Sequence, residues 1–234
     1  MRKPVTFGHI WKTDSGLTVL LVFLVVTIFI AYPITALPFG KVLVLISFSF
    51  ILISGATFVL DKHLLRFFVL GSVLLNLVLH WVTYIGDVAG LASWTLFCDF
   101  ICCGVLAVIV LVQVFRAGPI TIHRITGAIA VYLLIGLMWA FVYQLIELQF
   151  PAAFKLPASM GTYTADTLQS NLLYFSFVTL TTLGYGDILA VHPSARMLVM
   201  LEALTGQLFP AILLARLVSL EIMHKKDRSK QQQQ

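Results

Sequence analysis

Charged side chains are scarce in this sequence. Asp, Glu, Lys and Arg make up 11% of the 234 residues, whereas 60% are hydrophobic, and the mean hydropathy is +1.00. Soluble globular domains carry roughly 25% charged and 45–50% apolar residues. The shortage of charge therefore excludes an ordinary water-soluble protein and predicts a chain that lies in a bilayer.

Cysteine is almost as scarce. The three cysteines, Cys98, Cys102 and Cys103, all lie in one apolar run. An odd number of thiols in an apolar stretch argues against a disulfide framework. Asp99 is the one further metal-ligand candidate on that stretch, so we expect the thiols to serve as small packing residues. The sequence predicts no cofactor.

Long apolar runs dominate what is present. A membrane-spanning helix needs about 20 apolar residues, and the absence of strict alternation indicates helices rather than strands. Six runs qualify, bounded roughly by Gly16 to Leu37, Val42 to Leu60, Leu64 to Ile85, Leu91 to Phe115, Ile125 to Leu148 and Ala195 to Leu220. A shorter run, Leu168 to Thr181, precedes a glycine-rich turn and is predicted to enter and leave the membrane on one side. The predicted fold class is an all-α membrane protein with six transmembrane helices and one re-entrant helix and loop.

Basic residues gather at the ends of these runs, so the net charge of +5 indicates topology rather than nucleic-acid binding. Three of them, Lys41, Lys155 and Arg196, fall on one predicted side, and eleven fall on the other. The positive-inside rule makes the second side cytoplasmic. We expect a multi-pass protein of the plasma membrane with both termini in the cytoplasm and an uncleaved first span. The basic residues on the cytoplasmic side are Arg2, Lys3, Lys12, Lys62, Arg66, Arg116, Arg124, Lys225, Lys226, Arg228 and Lys230.

The turn after the re-entrant run reads Thr181-Thr182-Leu183-Gly184-Tyr185-Gly186-Asp187. Stacked backbone carbonyls can replace the water shell of a potassium ion. Gly184 and Gly186 permit the unusual dihedral angles that such stacking needs, and Thr182 adds a hydroxyl at the inner end. One loop supplies only one wall of an ion cage, so four copies of the chain are expected.

Residues Leu172 to Ile188, LLYFSFVTLTTLGYGDI, resemble the pore of bacterial potassium channel family proteins. The resemblance extends weakly to both sides and covers about half of the chain. It implies a homotetramer that conducts potassium passively and is not an enzyme, with membrane lipid and its own copies as partners. It places the potassium ions at Thr182, Leu183, Gly184 and Tyr185, with Gly186 completing the ion-binding segment and, together with Asp187, shaping the outer mouth.

The same resemblance assigns residues that support the filter. Tyr174 and Phe175 take the positions of an aromatic cuff, and Thr181 begins the signature. Some bacterial relatives have a buried glutamate where this sequence has Val178, bonded to the aspartate that corresponds to Asp187. Because that partner is missing, Tyr174 is an alternative partner for Asp187. Leu183 replaces the commoner Val or Ile.

The last span carries a candidate hinge and cavity. Gly206 stands where the family has a hinge glycine, although a glycine can equally serve close helix packing. Pro210 removes a backbone bond and predicts a kink. If Gly206 packs on the re-entrant helix, helical spacing turns four residues towards the cavity: Gln207, Ala211, Leu214 and Val218. The lower two form either an apolar gate or ordinary packing.

Glu202, His80 and Asp99 are ionisable residues inside predicted spans. Glu202 is predicted to bond the re-entrant helix or the fifth span, with ion handling as the alternative. His80 and Asp99 are predicted to pair across helices, as a structural contact or a proton sensor. The fourth span, Leu91 to Phe115, has none of the periodic arginines of a voltage sensor, so steep voltage gating is not expected.

The sequence divides into four predicted parts: a four-span membrane domain at 1–115, a cytoplasmic linker at 116–124, a pore domain at 125–223 and a disordered basic tail at 224–234. The function predicted is a potassium-selective channel. The alternatives are a less selective cation channel and a non-conducting scaffold or lipid-binding protein. No calcium-binding loop or nucleotide-binding domain is predicted, so the gating stimulus is open.

Overall fold

The computed structural model describes residues 7–35, 37, 39–56, 63–86, 89–115, 121–157 and 165–232. Most of these residues are helical, and two short strands pair with each other. Most of the predicted linker, residues 116–120, lies outside the described ranges. The helices are α1 (Phe7–Val26), α2 (Gly40–Ala56), α3 (His63–Gly86), α4 (Ala89–Val114), α5 (Ile122–Gln149), α6 (Ala165–Leu180) and α7 (Pro193–Gln232), and the strands are β1 (Phe154–Lys155) and β2 (Leu189–Ala190).

The prediction of an all-α membrane protein is confirmed at the level of class. Among the described residues, three segments are long and apolar enough to cross a membrane: Gly90–Val114, Ile122–Gln149 and Pro193–Ser219. Three shorter apolar helices, Gly16–Ala31, Gly40–Ser54 and Gly71–Thr83, fall in the first three predicted spans. The number of spans, six, stays a prediction.

The core lies where α4 and α1 pack against α5. Fully buried leucines and valines from these helices form one cluster with α2, including Leu20, Leu24, Val110 and Leu134. Gly127 of α5 lets α4 approach closely, since a Cβ there would lie 3.0 Å from Val114 Cγ2. Small residues at helix contacts are the usual way to pack helices where lipid removes the hydrophobic driving force.

A polar cluster joins α3 to α4. Asn76 Nδ2 donates to Asp99 Oδ1 over 2.6 Å, and His80 Nε2 lies 3.0 Å from the same oxygen. The predicted pairing of His80 with Asp99 is therefore confirmed, while Asn76 was not foreseen. Cys98, Cys102 and Cys103 are free thiols on the same helix as Asp99, and Cys102 and Cys103 are buried among apolar residues.

The last helix extends into the C-terminal tail. α7 continues to Gln232, and Lys, Arg and Gln are good helix formers, so a helix that begins in an apolar segment can extend through this polar sequence. The disordered basic tail at 224–234 stays a prediction. Pro210 lies inside α7.

Candidate functional site

The glycine-rich turn begins as the C-terminal cap of α6. The amide of Thr182 donates to Thr179 O over 2.9 Å, and the amide of Leu183 donates to Val178 O over 3.0 Å. These two bonds, i+3 nested inside i+5, form a Schellman motif whose left-handed residue is Thr182. Backbone hydrogen bonds thereby join the helix to the turn.

Left-handed backbone angles recur at every second residue of the turn. The φ angles are +60° at Thr182, +57° at Gly184 and +76° at Gly186. Glycine adopts this region freely, but for the β-branched Thr182 it is an outlier that costs about 1–3 kcal/mol. The sequence located the two glycines correctly as special positions and missed the threonine, because nothing in its side chain announces the conformation.

All residues from Thr181 to Asp187 are exposed. A Cβ built on Gly184 or Gly186 would meet nothing within 4 Å. The large side chains of Leu183 and Tyr185 are 59% and 68% exposed. Within one chain, therefore, the predicted ion-binding segment contacts very little besides the helix that precedes it.

Tyr174 and Phe175 have separate surroundings. The Tyr174 hydroxyl lies near enough to the Asp187 carboxylate to interact with it, and Asp187 is the partner considered for a chain that has Val178 in place of a glutamate. Phe175 is buried, and its ring centroid lies 5.4 Å from that of Tyr143 and 5.5 Å from that of Phe154. Of these two side chains, only that of Tyr174 approaches the glycine-rich turn. The ring of Phe175 instead anchors α6 to α5 and β1.

The end of the turn is fixed by the two-stranded pairing. Phe154 of β1 lies opposite Ala190 of β2, and Val191 N donates to Ala153 O over 2.8 Å. The carboxylate of Glu147 accepts hydrogen bonds from the amides of Ala152 and Phe154. The loop after α5 therefore holds the loop after the glycine-rich turn in place.

α5 and α7 both contact α6 along a common seam. A Cβ on Gly206 of α7 would collide with the backbone carbonyl of Leu180, the last residue of α6. That carbonyl also accepts a hydrogen bond from Tyr132 of α5 over 3.1 Å. Gly206 thus packs closely on α6, as expected if this glycine serves helix packing rather than a hinge. The same packing is the condition under which the four candidate cavity residues were predicted to face the cavity. Gln207, Ala211, Leu214 and Val218 are all exposed in the chain.

Glu202 lies one turn before Gly206 and is fully buried. Its carboxyl group contacts the hydroxyl of Tyr143 on α5, and its Oε1 lies 2.6 Å from Ser176 Oγ on α6. Ser176 Oγ also lies 2.7 Å from the carbonyl oxygen of Gly136 on α5. The predicted bond to the re-entrant helix or the fifth span is confirmed for both, and the two hydroxyls that bond Glu202 were not predicted.

The N-terminal helices reach α6 directly, which the sequence did not indicate. Thr27–Ala31, which continues α1, is π-helical, and the Phe29 ring lies 6.5 Å from that of Phe177. Gln169 Nε2 donates to the Tyr32 hydroxyl over 3.3 Å. A π-helix is often found at functional sites. No sequence pattern reveals one, so the sequence did not indicate this contact.

Comparisons with known proteins give matches to the region around this turn rather than to the whole chain. The family Ion_trans_2, described as an ion channel family, matches residues 131–221. Protein LctB of Bacillus caldotenax is 30% identical over 87 residues, which are 37% of this chain and 64% of that protein. The chain therefore spans just under two thirds of this relative. No solved structure matches.

The family match covers α6, the turn and most of α5 and α7. It supports an ion channel family for this chain and favours a transport protein over an enzyme. Together with the long apolar helices it supports a membrane location. Among the described residues, no group of His, Cys, Asp and Glu side chains could hold a metal ion.

Proposed function

We propose that this protein is a potassium-selective channel whose filter is the segment Thr182 to Gly186. The observation that carries the proposal is the left-handed backbone at Thr182, Gly184 and Gly186. Alternating hands along a strand can direct successive carbonyls to one side, as a dehydrated cation requires. Potassium ions would bind at the carbonyls of Thr182, Leu183, Gly184 and Tyr185.

The channel is a homotetramer in this proposal. The filter residues and most of α7 are exposed within one chain, and a Cβ on either filter glycine would meet empty space. Four copies around an axis would cover these surfaces and complete the cage that one loop leaves open. Gln207, Ala211, Leu214 and Val218 would then line the inner cavity.

The re-entrant helix adds an electrostatic contribution. α6 ends at Leu180, directly before the filter, and a helix carries about half a negative charge at its C-terminus. Four such ends would favour a cation and disfavour an anion near the inner end of the filter. Hydrogen bonds from the filter amides to Val178 O and Thr179 O keep each end next to the ion path.

The remaining predictions complete the proposal. The chain has six spans in the plasma membrane, and both termini are cytoplasmic. Because α4 has no arginine between Ala89 and Val114, opening is not steeply voltage-dependent. Its partners are three further copies and membrane lipid.

Purified protein in liposomes tests the proposal. A potassium gradient should drive flux that an equal sodium gradient does not, and Gly184→Ala should abolish it. That alanine would be strained at φ +57° whatever space surrounds it. Gly71→Ala is the matched control, because its Cβ would also meet nothing within 4 Å but its backbone is α-helical.

The two alternatives give different results in this assay. A less selective cation channel passes sodium and potassium alike, and its reversal potential ignores the potassium gradient. A scaffold or lipid-binding protein gives no flux with either ion although it is folded and inserted. Either result would contradict potassium selectivity.

A further inference from the structure

The buried polar network around Glu202 contains more oxygen–oxygen contacts than there would be hydrogens to fill them if Glu202 were ionised. Three oxygen–oxygen contacts link its members: Tyr143 to Glu202, Ser176 to Glu202, and Ser176 to the carbonyl of Gly136. Each contact needs one hydrogen. Tyr143 and Ser176 carry one hydroxyl hydrogen each, the Gly136 carbonyl carries none, and a carboxylate carries none.

An ionised Glu202 would therefore leave one contact without a proton. Ser176 could donate to Gly136 O or to Glu202 Oε1, and the other oxygen pair would face each other lone pair to lone pair at 2.6 or 2.7 Å. A carboxylic acid removes the conflict. Its Oε1–H donates to Ser176 Oγ, Ser176 donates to Gly136 O, and Tyr143 donates to Glu202 Oε2.

The surroundings agree with a neutral group. Glu202 is 0% exposed, and no Lys, Arg or His of the described part of the chain forms an ion pair with it. The groups that face it are hydroxyls, Tyr143 from α5 and Ser176 from α6, and Tyr132 of α5 is the next titratable side chain. An isolated buried carboxylate is costly in a membrane, so a proton is the cheaper way to satisfy this site.

We propose that Glu202 is a protonated carboxylic acid in the folded channel, and that this proton positions the re-entrant helix between the two flanking spans. The protonation itself does not depend on the proposed channel function. Its consequence for the filter rests on that function. Ser176 lies six residues before Thr182, and its contact with Glu202 is followed one turn later by that of Leu180 with Gly206. The acid thus fixes the outer part of the seam that carries the filter.

Infrared spectroscopy of the protein in membranes tests the protonation. An ordinary glutamate is ionised at neutral pH, so a carboxylic acid band at neutral pH that disappears in Glu202→Gln would identify Glu202. Tyr143→Phe should keep the band and move it to higher frequency, because the acid carbonyl loses its hydrogen bond. A spectrum without a difference between the native protein and Glu202→Gln would overturn the proposal.

Potassium flux tests the positioning role. The amide of Glu202→Gln can donate to Ser176 and accept from Tyr143, so this variant should assemble and conduct as the native protein does. Deprotonation at strongly alkaline pH should reduce flux in the native protein and leave Glu202→Gln unaffected. Loss of flux in an assembled Glu202→Gln channel would contradict the proposal. An acid band in a protein without any flux would refute only the channel function.

Discussion

The glycines of the N-terminal helices and those of the pore region have different surroundings. A Cβ added to Gly71 of α3 or Gly90 of α4 would meet nothing within 4 Å, and one on Gly104 would meet only the flexible end of Met138 at 3.3 Å. On Gly136 it would meet the ring of Phe177 at 2.7 Å, and on Gly206 the backbone of α6. Apart from Gly40 at the start of α2, where a Cβ would collide with the backbone of Ile34, these N-terminal positions tolerate added volume, whereas Gly136 and Gly206 depend on close contact between helices.

The buried polar groups differ in the same way. In the N-terminal part, Asp99 bonds both Asn76 and the partly exposed His80, all through side chains of two helices. In the pore part, Glu202 joins three elements and its network ends on a backbone carbonyl of α5. The first network ties one helix pair together, and the second sets the position of α6 between α5 and α7.

Gly206→Ala should have the largest effect. The new methyl group collides with the backbone carbonyl of Leu180, which cannot rotate away, so the cost of about 1–3 kcal/mol typical of overpacking falls on the end of α6. We expect loss of potassium flux and of a stable tetramer, measured by liposome flux and by size-exclusion chromatography in detergent. Normal flux from Gly206→Ala would mean that the pore does not depend on this approach.

Asp99→Leu should destabilise the protein without stopping conduction. It leaves the amide of Asn76 and the ring of His80 without their partner, and buried hydrogen bonds in membrane proteins are worth roughly 1–2 kcal/mol. The expected result is a lower melting temperature in detergent with unchanged potassium flux per folded tetramer. Asp99→Asn, which keeps an acceptor for Asn76, is the milder control. A change in the pH dependence of flux would instead favour the proton-sensor alternative.

Tyr174→Phe should have a smaller and more specific effect. It keeps the ring and removes the hydroxyl that interacts with the Asp187 carboxylate, at a cost of about 1 kcal/mol, or a factor of about five in an equilibrium. We expect shorter open periods in single-channel recordings with the potassium reversal potential unchanged. Phe175→Tyr is not an equivalent control, because that ring is buried against Tyr143 and Phe154.

Gly71→Ala should have the smallest effect. Its side chain would meet open space, and alanine favours a helix interior over glycine by about 1 kcal/mol. We expect an equal or slightly higher melting temperature and unchanged flux. A loss of function here would break the contrast between the two regions, since it would show that the N-terminal helices also require close approach.

Much of the fold was predictable because membrane helices depend on local sequence. The apolar runs located α4, α5 and the start of α7 within a few residues, and the short run before the glycines located α6. The extension of α7 to Gln232 was not predicted, because charge and glutamine content favour disorder in isolation, while a helix already formed in the apolar segment extends at little cost. The π-helix at Thr27–Ala31 has no signature of its own.

The candidate site was predictable in its residues but only partly in its contacts. The signature from Thr181 to Asp187 indicated the special positions Gly184 and Gly186, since the required backbone angles are reserved largely for glycine. It could not indicate Thr182, whose angle follows from the Schellman cap. Nor could spacing separate Tyr174 from Phe175, because neighbouring residues of a helix differ in direction by about 100° and meet different partners.

By itself, the sequence determined a membrane location and a filter-like segment, because hydropathy and glycine placement act through the local chain. Only the tertiary structure decided how α5, α6 and α7 meet. The contacts of Glu202 with Tyr143 and Ser176 and of Gly206 with Leu180 join residues between 26 and 59 positions apart, a separation at which local propensity carries no information. The hydrogen bonds of Glu202 and the close approach of Gly206 to Leu180 therefore follow from the tertiary structure and not from the local sequence.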